Sequence, residues 1–103
     1  MESRRRIIPK QLYLGSQKIK IVRRKNIMKK LKVLGVAYFY ENKILIQAGD
    51  DEDSSYDQKE LAYMHELVHM ILCMMGEHKL NANEKFVEDM ANLLLQERKS
   101  ARY

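Results

Sequence analysis

Residues 63–72 read YMHELVHMIL, two histidines and a glutamate set into an otherwise apolar run. Around them Leu61, Met64, Leu67, Val68, Ile71, Leu72 and Met75 recur at intervals of three and four, the period of a helix that buries one face. Gly76 follows the last of them, and glycine accepts the left-handed conformation in which helices commonly end. The spacing predicts a core helix from Asp57 or Gln58 to Met75.

His65 and His69 leave that helix on one face, one turn apart, close enough for two imidazole nitrogens to grip a single ion. Glu66 emerges about 100° round the axis from His65, where it reaches a water on the ion without ligating it. This is the pattern H-E-x-x-H, in which the glutamate is the general base of a metal-dependent hydrolysis. A chance grouping of core residues accounts for it less well, because three polar groups buried without partners cost on the order of 1–3 kcal/mol each.

A hydrolytic zinc takes three protein ligands and keeps a fourth position open. Downstream, Asn81-x-x-Glu84 has the form of a capping box, and Phe86, Val87, Met90, Leu93 and Leu94 supply the apolar face of a second helix running to about residue 97. Glu84 and Glu88 share one face of it, and the turn at Gly76 folds it back on the first helix. Either glutamate could supply the third oxygen.

Toward the N terminus the period changes to two. QLYL (11–14) and KIKIVR (18–23) flank Gly15-Ser16 as a hairpin, and GVAYFY (35–40) and KILIQ (43–47) form a second one turning at Glu41-Asn42. Between them Ile27, Met28, Leu31 and Leu34 follow Asn26 at helical spacing with lysines interspersed, a pattern that a basic loop shares. GDDEDSSYD (49–57) is a loop whose acids lack the central glycine and distal glutamate of a calcium-binding EF-hand. Strands precede helices, so the expected class is α+β: a small antiparallel sheet of hairpins packed on the HExxH helix and a second C-terminal helix, a minimal zincin-like arrangement. KILIQ, placed at the sheet edge beside the helix, would bind an extended substrate by strand addition.

HELVH (65–69) followed by EDMANLL (88–94) resembles the gluzincin-type metallopeptidases of the ImmA/IrrE family, and the upstream run RIIPKQLYLGSQKIKIV with GVAYFYENKILIQ is similar to its small phage and prophage members. The resemblance covers nearly the whole chain, with HELVH its specific part and the strands alike in pattern alone. It implies a zinc peptidase with His65, His69 and Glu88 as metal ligands and Glu66 as the catalytic base. It also implies that Asn92 orients a ligand histidine. Glu84 is the alternative third ligand, Glu88 then supporting a histidine.

Other residues near the motif carry less. His78, Tyr56 and Tyr63 lie within sequence reach as oxyanion helpers, and none is assigned that role. Cys73 falls one turn past His69, but three ligands in line on one helix do not close around an ion, so it reads as a small apolar residue. Met64, Met70, Met74 and Met75 read as adaptable core or an exposed dimer patch rather than a copper site.

At 103 residues the chain suits one domain, 1–103, with a mobile start over residues 1–8. Residues 1–49 hold 13 Lys and Arg against Glu2 and Glu41, whereas residues 50–103 hold 6 basic and 12 acidic side chains. The basic half can pair with the acidic half or make weak, non-specific contact with nucleic acid. No helix-turn-helix, RNP or zinc-finger pattern supports base readout. No apolar stretch approaches the ~20 residues of a membrane span. With Cys73 the single cysteine and no secretion signal in view, a reducing cytoplasm is the expected compartment. The leading expectation is a peptidase acting on a protein or peptide partner. A basic nucleic-acid-binding module, or a regulatory platform on the same fold without turnover, stands as the alternative.

Overall fold

The computed structural model describes residues 8–48 and 56–102. The alternation of lysine and isoleucine produces β1 (Gln11–Leu14) and β2 (Gln17–Arg24), an antiparallel pair in which Leu12 faces Ile19 and Tyr13 faces Lys18. The second hairpin pairs β3 (Gly35–Tyr38) with β4 (Lys43–Gln47). GVAYFY does not stay extended throughout: Phe39–Glu41 tighten into a single 3-10 turn. Asn42 then takes the left-handed conformation expected of it, at φ 52°.

The hairpins join through β2 and β4, and these run parallel, giving a four-stranded sheet in the order β1-β2-β4-β3. The class is α+β as expected, but the sheet is mixed rather than wholly antiparallel. Between the hairpins Ile27–Leu31 form a short helix, α1, packed against β4. The strand order makes the pairing parallel: β3 starts level with Arg23, at the end where β2 stops, and runs back along the outer edge, so that β4 sets out from the same end as β2. It also corrects the placement of KILIQ, which lies inside the sheet with both edges paired. The outer strand on that side is β3.

Ile19, Ile21, Ile44 and Ile46 are buried and turn one face of the sheet toward the helices. Burying each such side chain contributes about 1.5–3 kcal/mol. Against them lies α2 (Tyr56–Met75), whose Tyr63, Met64, Leu67, Val68 and Met70 complete the core. The methionines divide accordingly, Met64 and Met70 being buried and Met74 and Met75 exposed.

The end of α2 shows why Gly76 is needed. Its φ is +74°, its N–H donates to the Cys73 carbonyl, and the next N–H, of Glu77, reaches back to Leu72. Two terminal carbonyls are thereby satisfied and the chain reverses. A one-turn helix, α3 (His78–Asn81), precedes α4 (Glu84–Ser100), which packs along α2 through Val87, Ala91 and Leu95. The expected cap is displaced by two residues: Asn83, not Asn81, starts α4, its side-chain oxygen accepting from the Phe86 N–H at 3.0 Å.

Of the start expected to be mobile, residues 1–7 lie outside the described part, and Ile8 is buried with its carbonyl accepting from Arg23. The acidic loop also lies outside it, except that Tyr56 and Asp57 belong to α2. No helix among the described residues is long and apolar enough to cross a membrane.

Candidate metal centre

Because α4 runs back along α2, successive turns of α4 fall opposite successively earlier turns of α2. Glu84, in the first turn of α4, is level with both histidines. Its Oε1 lies 3.1 Å from His65 Nε2 and its Oε2 lies 3.5 Å from His69 Nε2. The two Nε2 atoms are 3.2 Å apart. One turn further on, Glu88 meets the other nitrogen of His65, Nδ1, at 2.7 Å. The histidines are about one-fifth exposed and Glu84 is 70% exposed, so the cluster opens to solvent on one side.

The outer nitrogens decide what the inner ones can do. His65 Nδ1–H donates to the Glu88 carboxylate, and His69 Nδ1–H donates to the Asn81 side-chain oxygen at 2.5 Å, on tautomers assigned from these partners. Each ring then presents a lone pair at Nε2. Two nitrogen lone pairs and a carboxylate converge with no donor of their own, which calls for a cation between them, a proton or a metal ion.

Bonds of about 2.0–2.1 Å to a tetrahedral zinc would place its ligands roughly 3.3–3.4 Å apart; the two Nε2 atoms are 3.2 Å apart, and the Glu84 contacts of 3.1 and 3.5 Å are made by its two different oxygens. His65, His69 and Glu84 are the His, Cys, Asp or Glu side chains among the described residues that come together as a group able to hold an ion.

The resemblance gave the third ligand to Glu88 with Glu84 as the alternative; here Glu84 lies beside both Nε2 atoms and Glu88 beside Nδ1 of His65. Asn92 does not orient a histidine. Its amide donates instead to the Glu88 backbone carbonyl at 3.0 Å. Asn81 fills that role for His69, and sequence reasoning missed it by assigning Asn81 to a helix cap. The signal available was its place in the tight connection after Gly76, which returns the chain to the site.

Glu66 lies between the cluster and β3. Burial pushes its carboxyl above the ordinary range, and the neighbouring His65 and His69 and a hydrogen bond from the Ala37 amide oppose that rise. The close approach of β3 depends on Gly35, where an added Cβ would lie 3.0 Å from Ile46 Cδ1 and 3.3 Å from Glu66 Cγ. Open clefts flank Glu66 on both sides. One runs past Leu34, Leu61, Ala62 and His65, the other past Val36, Phe39, His69 and Cys73.

Of the other sequence candidates, Tyr63 is a core residue whose hydroxyl burial pushes up to about 12, and His78 is exposed on α3. The Tyr56 side chain lies outside the described atoms. Cys73 lines a cleft without joining the His65, His69 and Glu84 group. No protein-family model, curated protein or solved structure matches the chain.

Proposed function

We propose that the chain is a small zinc-dependent metallopeptidase, similar to the ImmA/IrrE family, that hydrolyses a peptide bond in a protein partner within a reducing cytoplasm. One observation carries the reading: the Nε2 atoms of His65 and His69, 3.2 Å apart, both meet the Glu84 carboxylate, while Glu88 and Asn81 hold both Nδ1 atoms. The arrangement of His, His and carboxylate is that of hydrolytic rather than closed structural zinc sites.

In this reading His65, His69 and Glu84 hold the ion. An ion held there would supply Lewis acidity toward the scissile carbonyl and a more acidic water. Glu66 takes a proton from the attacking water on its carboxylate oxygen and delivers it to the departing amine nitrogen. A carboxyl raised by burial suits that double task, since a proton carrier works best with a pKa near the working pH. The Ala37 amide donates to that carboxylate, and the missing side chain of Gly35 leaves room for Glu66 beside β3. The substrate backbone has a docking edge in β3, beside Glu66, in place of KILIQ.

The test is cleavage of a mixed peptide library by the zinc-loaded chain and by its Glu66→Gln variant. Loss of cleavage by about 100-fold or more in the variant, the range typical of general-base removal, with metal retained, is the expected result. Zinc binding without cleavage of any peptide or partner would instead favour a regulatory platform.

A further inference from the structure

We propose that the outward face of the sheet binds single-stranded nucleic acid, a site independent of the metal cluster on the opposite side. Strand register fixes which residues share this face. Gln11, Lys20, Lys43 and Tyr38 align in one row across the four strands, Tyr13 and Lys18 pair in the next, and Arg24 follows on β2. Between the Lys20 row and Arg24 the same face holds a half-buried apolar row of Val22, Leu45 and Val36, so its cationic part is the end that carries Tyr13, Lys18, Lys20 and Lys43, while the inward rows hold Leu12, Ile19, Ile21, Ile44 and Ile46.

Charge on this half of the molecule is one-sided. Residues 8–48 carry ten Lys and Arg and one acid, Glu41. Glu41 pairs with Lys43 at 3.0 Å. Lys18, Lys20 and Arg24 make no ion pair with any acid among the described residues. A ligand complementary to this face is a polyanion.

Aromatic placement favours a single strand over a duplex. Tyr13 is 62% exposed and Tyr40 97%, the two most exposed tyrosines described, and both stand at the end of the sheet where Lys18 begins β2's basic alternation. Tyr40 stands at the rim of the face, beside a cleft lined by Gln17, Phe39, Asn42 and Met74 of α2, and Asn42 donates to the Gln17 side chain at 2.9 Å, which ties the two hairpins together there. Tyr38 lies in the lysine row, with the Lys43 ammonium 5.4 Å from its ring centre. Exposed rings beside lysines are the combination that stacks unpaired bases while cations follow the phosphates. A duplex hides its base faces, and no described helix projects from this surface to enter a groove.

The test uses a fluorescently labelled fifteen-nucleotide oligothymidylate, the matching duplex, and phosphatidylserine vesicles, with the whole chain in chelator so that the metal cluster plays no part. Binding to the oligothymidylate should weaken by about 100-fold or more between 50 and 500 mM salt, the fall expected when three or four phosphates are neutralised. Lys18→Gln with Lys20→Gln should weaken it at least about tenfold and flatten the salt slope. Tyr13→Ala with Tyr40→Ala should weaken it by about tenfold with the slope unchanged. Circular dichroism melts check that these exposed substitutions leave the fold intact. The proposal is overturned by absence of binding at 50 mM salt, by a tyrosine double variant that binds as well as the parent, by tighter binding to the duplex, or by binding to vesicles alone.

Discussion

At His69 the Nδ1 proton has its acceptor in Asn81, and at His65 the corresponding acceptor is Glu88. Outer partners of this kind fix the tautomer and orientation of a ligand imidazole, and losing one typically costs 10–100-fold in metal affinity. Asn81→Ala and Glu88→Ala should each weaken zinc binding by about that factor, measured by competition with a chromophoric chelator. Glu66→Gln, which removes no ligand and no anchor, should leave the affinity within about twofold on the same argument. The H-E-x-x-H residues were legible because a helix carries its own ruler: a separation of four fixes direction and distance together. Asn81 and the division of labour between Glu84 and Glu88 were not, because each depends on how the chain crosses from Gly76 to α4. The extra turn of α3 moves the cap from Asn81 to Asn83 and decides which turn of α4 stands opposite His65.

Among the elements, β3 and α2 approach most closely at Gly35, and the reason is spatial rather than conformational. A methyl group there would meet Ile46 Cδ1 at 3.0 Å and the Leu45 carbonyl at 3.3 Å as well as Glu66. Gly35→Ala should destabilise the fold by about 1–3 kcal/mol, the usual cost of overpacking, as read from urea midpoints. It should also depress cleavage more than metal binding, because the residue it displaces is Glu66. The strands and turns behind this contact follow from period-two alternation and from Asn42. Their order did not follow, since alternation records which residues face the core and says nothing of which strand lies beside which. The parallel pairing of β2 with β4 follows from β3 taking the outer place and running back, and the segment that carries the chain there holds α1, whose five residues read equally as a basic loop. For that reason KILIQ was expected at an edge and lies inside the sheet.

On the scale of the whole molecule, the core carries a pH dependence on the alkaline side. Burial raises the Tyr63 hydroxyl from an ordinary 10.0 to about 12. Between those values the unfolded chain releases this proton while the folded chain keeps it. The stability linked to it is complete below pH 10 and disappears as pH climbs toward 12. Lys99 acts in the same direction: its hydrogen bond to buried Glu60 raises its pKa, so that bond's contribution is also lost on the alkaline side. Urea midpoints measured from pH 8 upward should therefore fall steeply near the Tyr63 range, and Tyr63→Phe should flatten the fall. An unchanged slope in that variant would remove Tyr63 as its source. The separation of charge, basic sheet against helices that carry the carboxylates of the site, was plain from composition. The sheet's two exposed tyrosines gained meaning only when the register put Tyr13 beside Lys18.

The most direct measurement is zinc titrated calorimetrically into the metal-free chain, into Glu84→Ala and into Glu88→Ala. The account predicts one zinc per parent chain, binding abolished in Glu84→Ala and weakened about 10–100-fold in Glu88→Ala. Full binding by Glu84→Ala, or no heat from the parent at all, would contradict it.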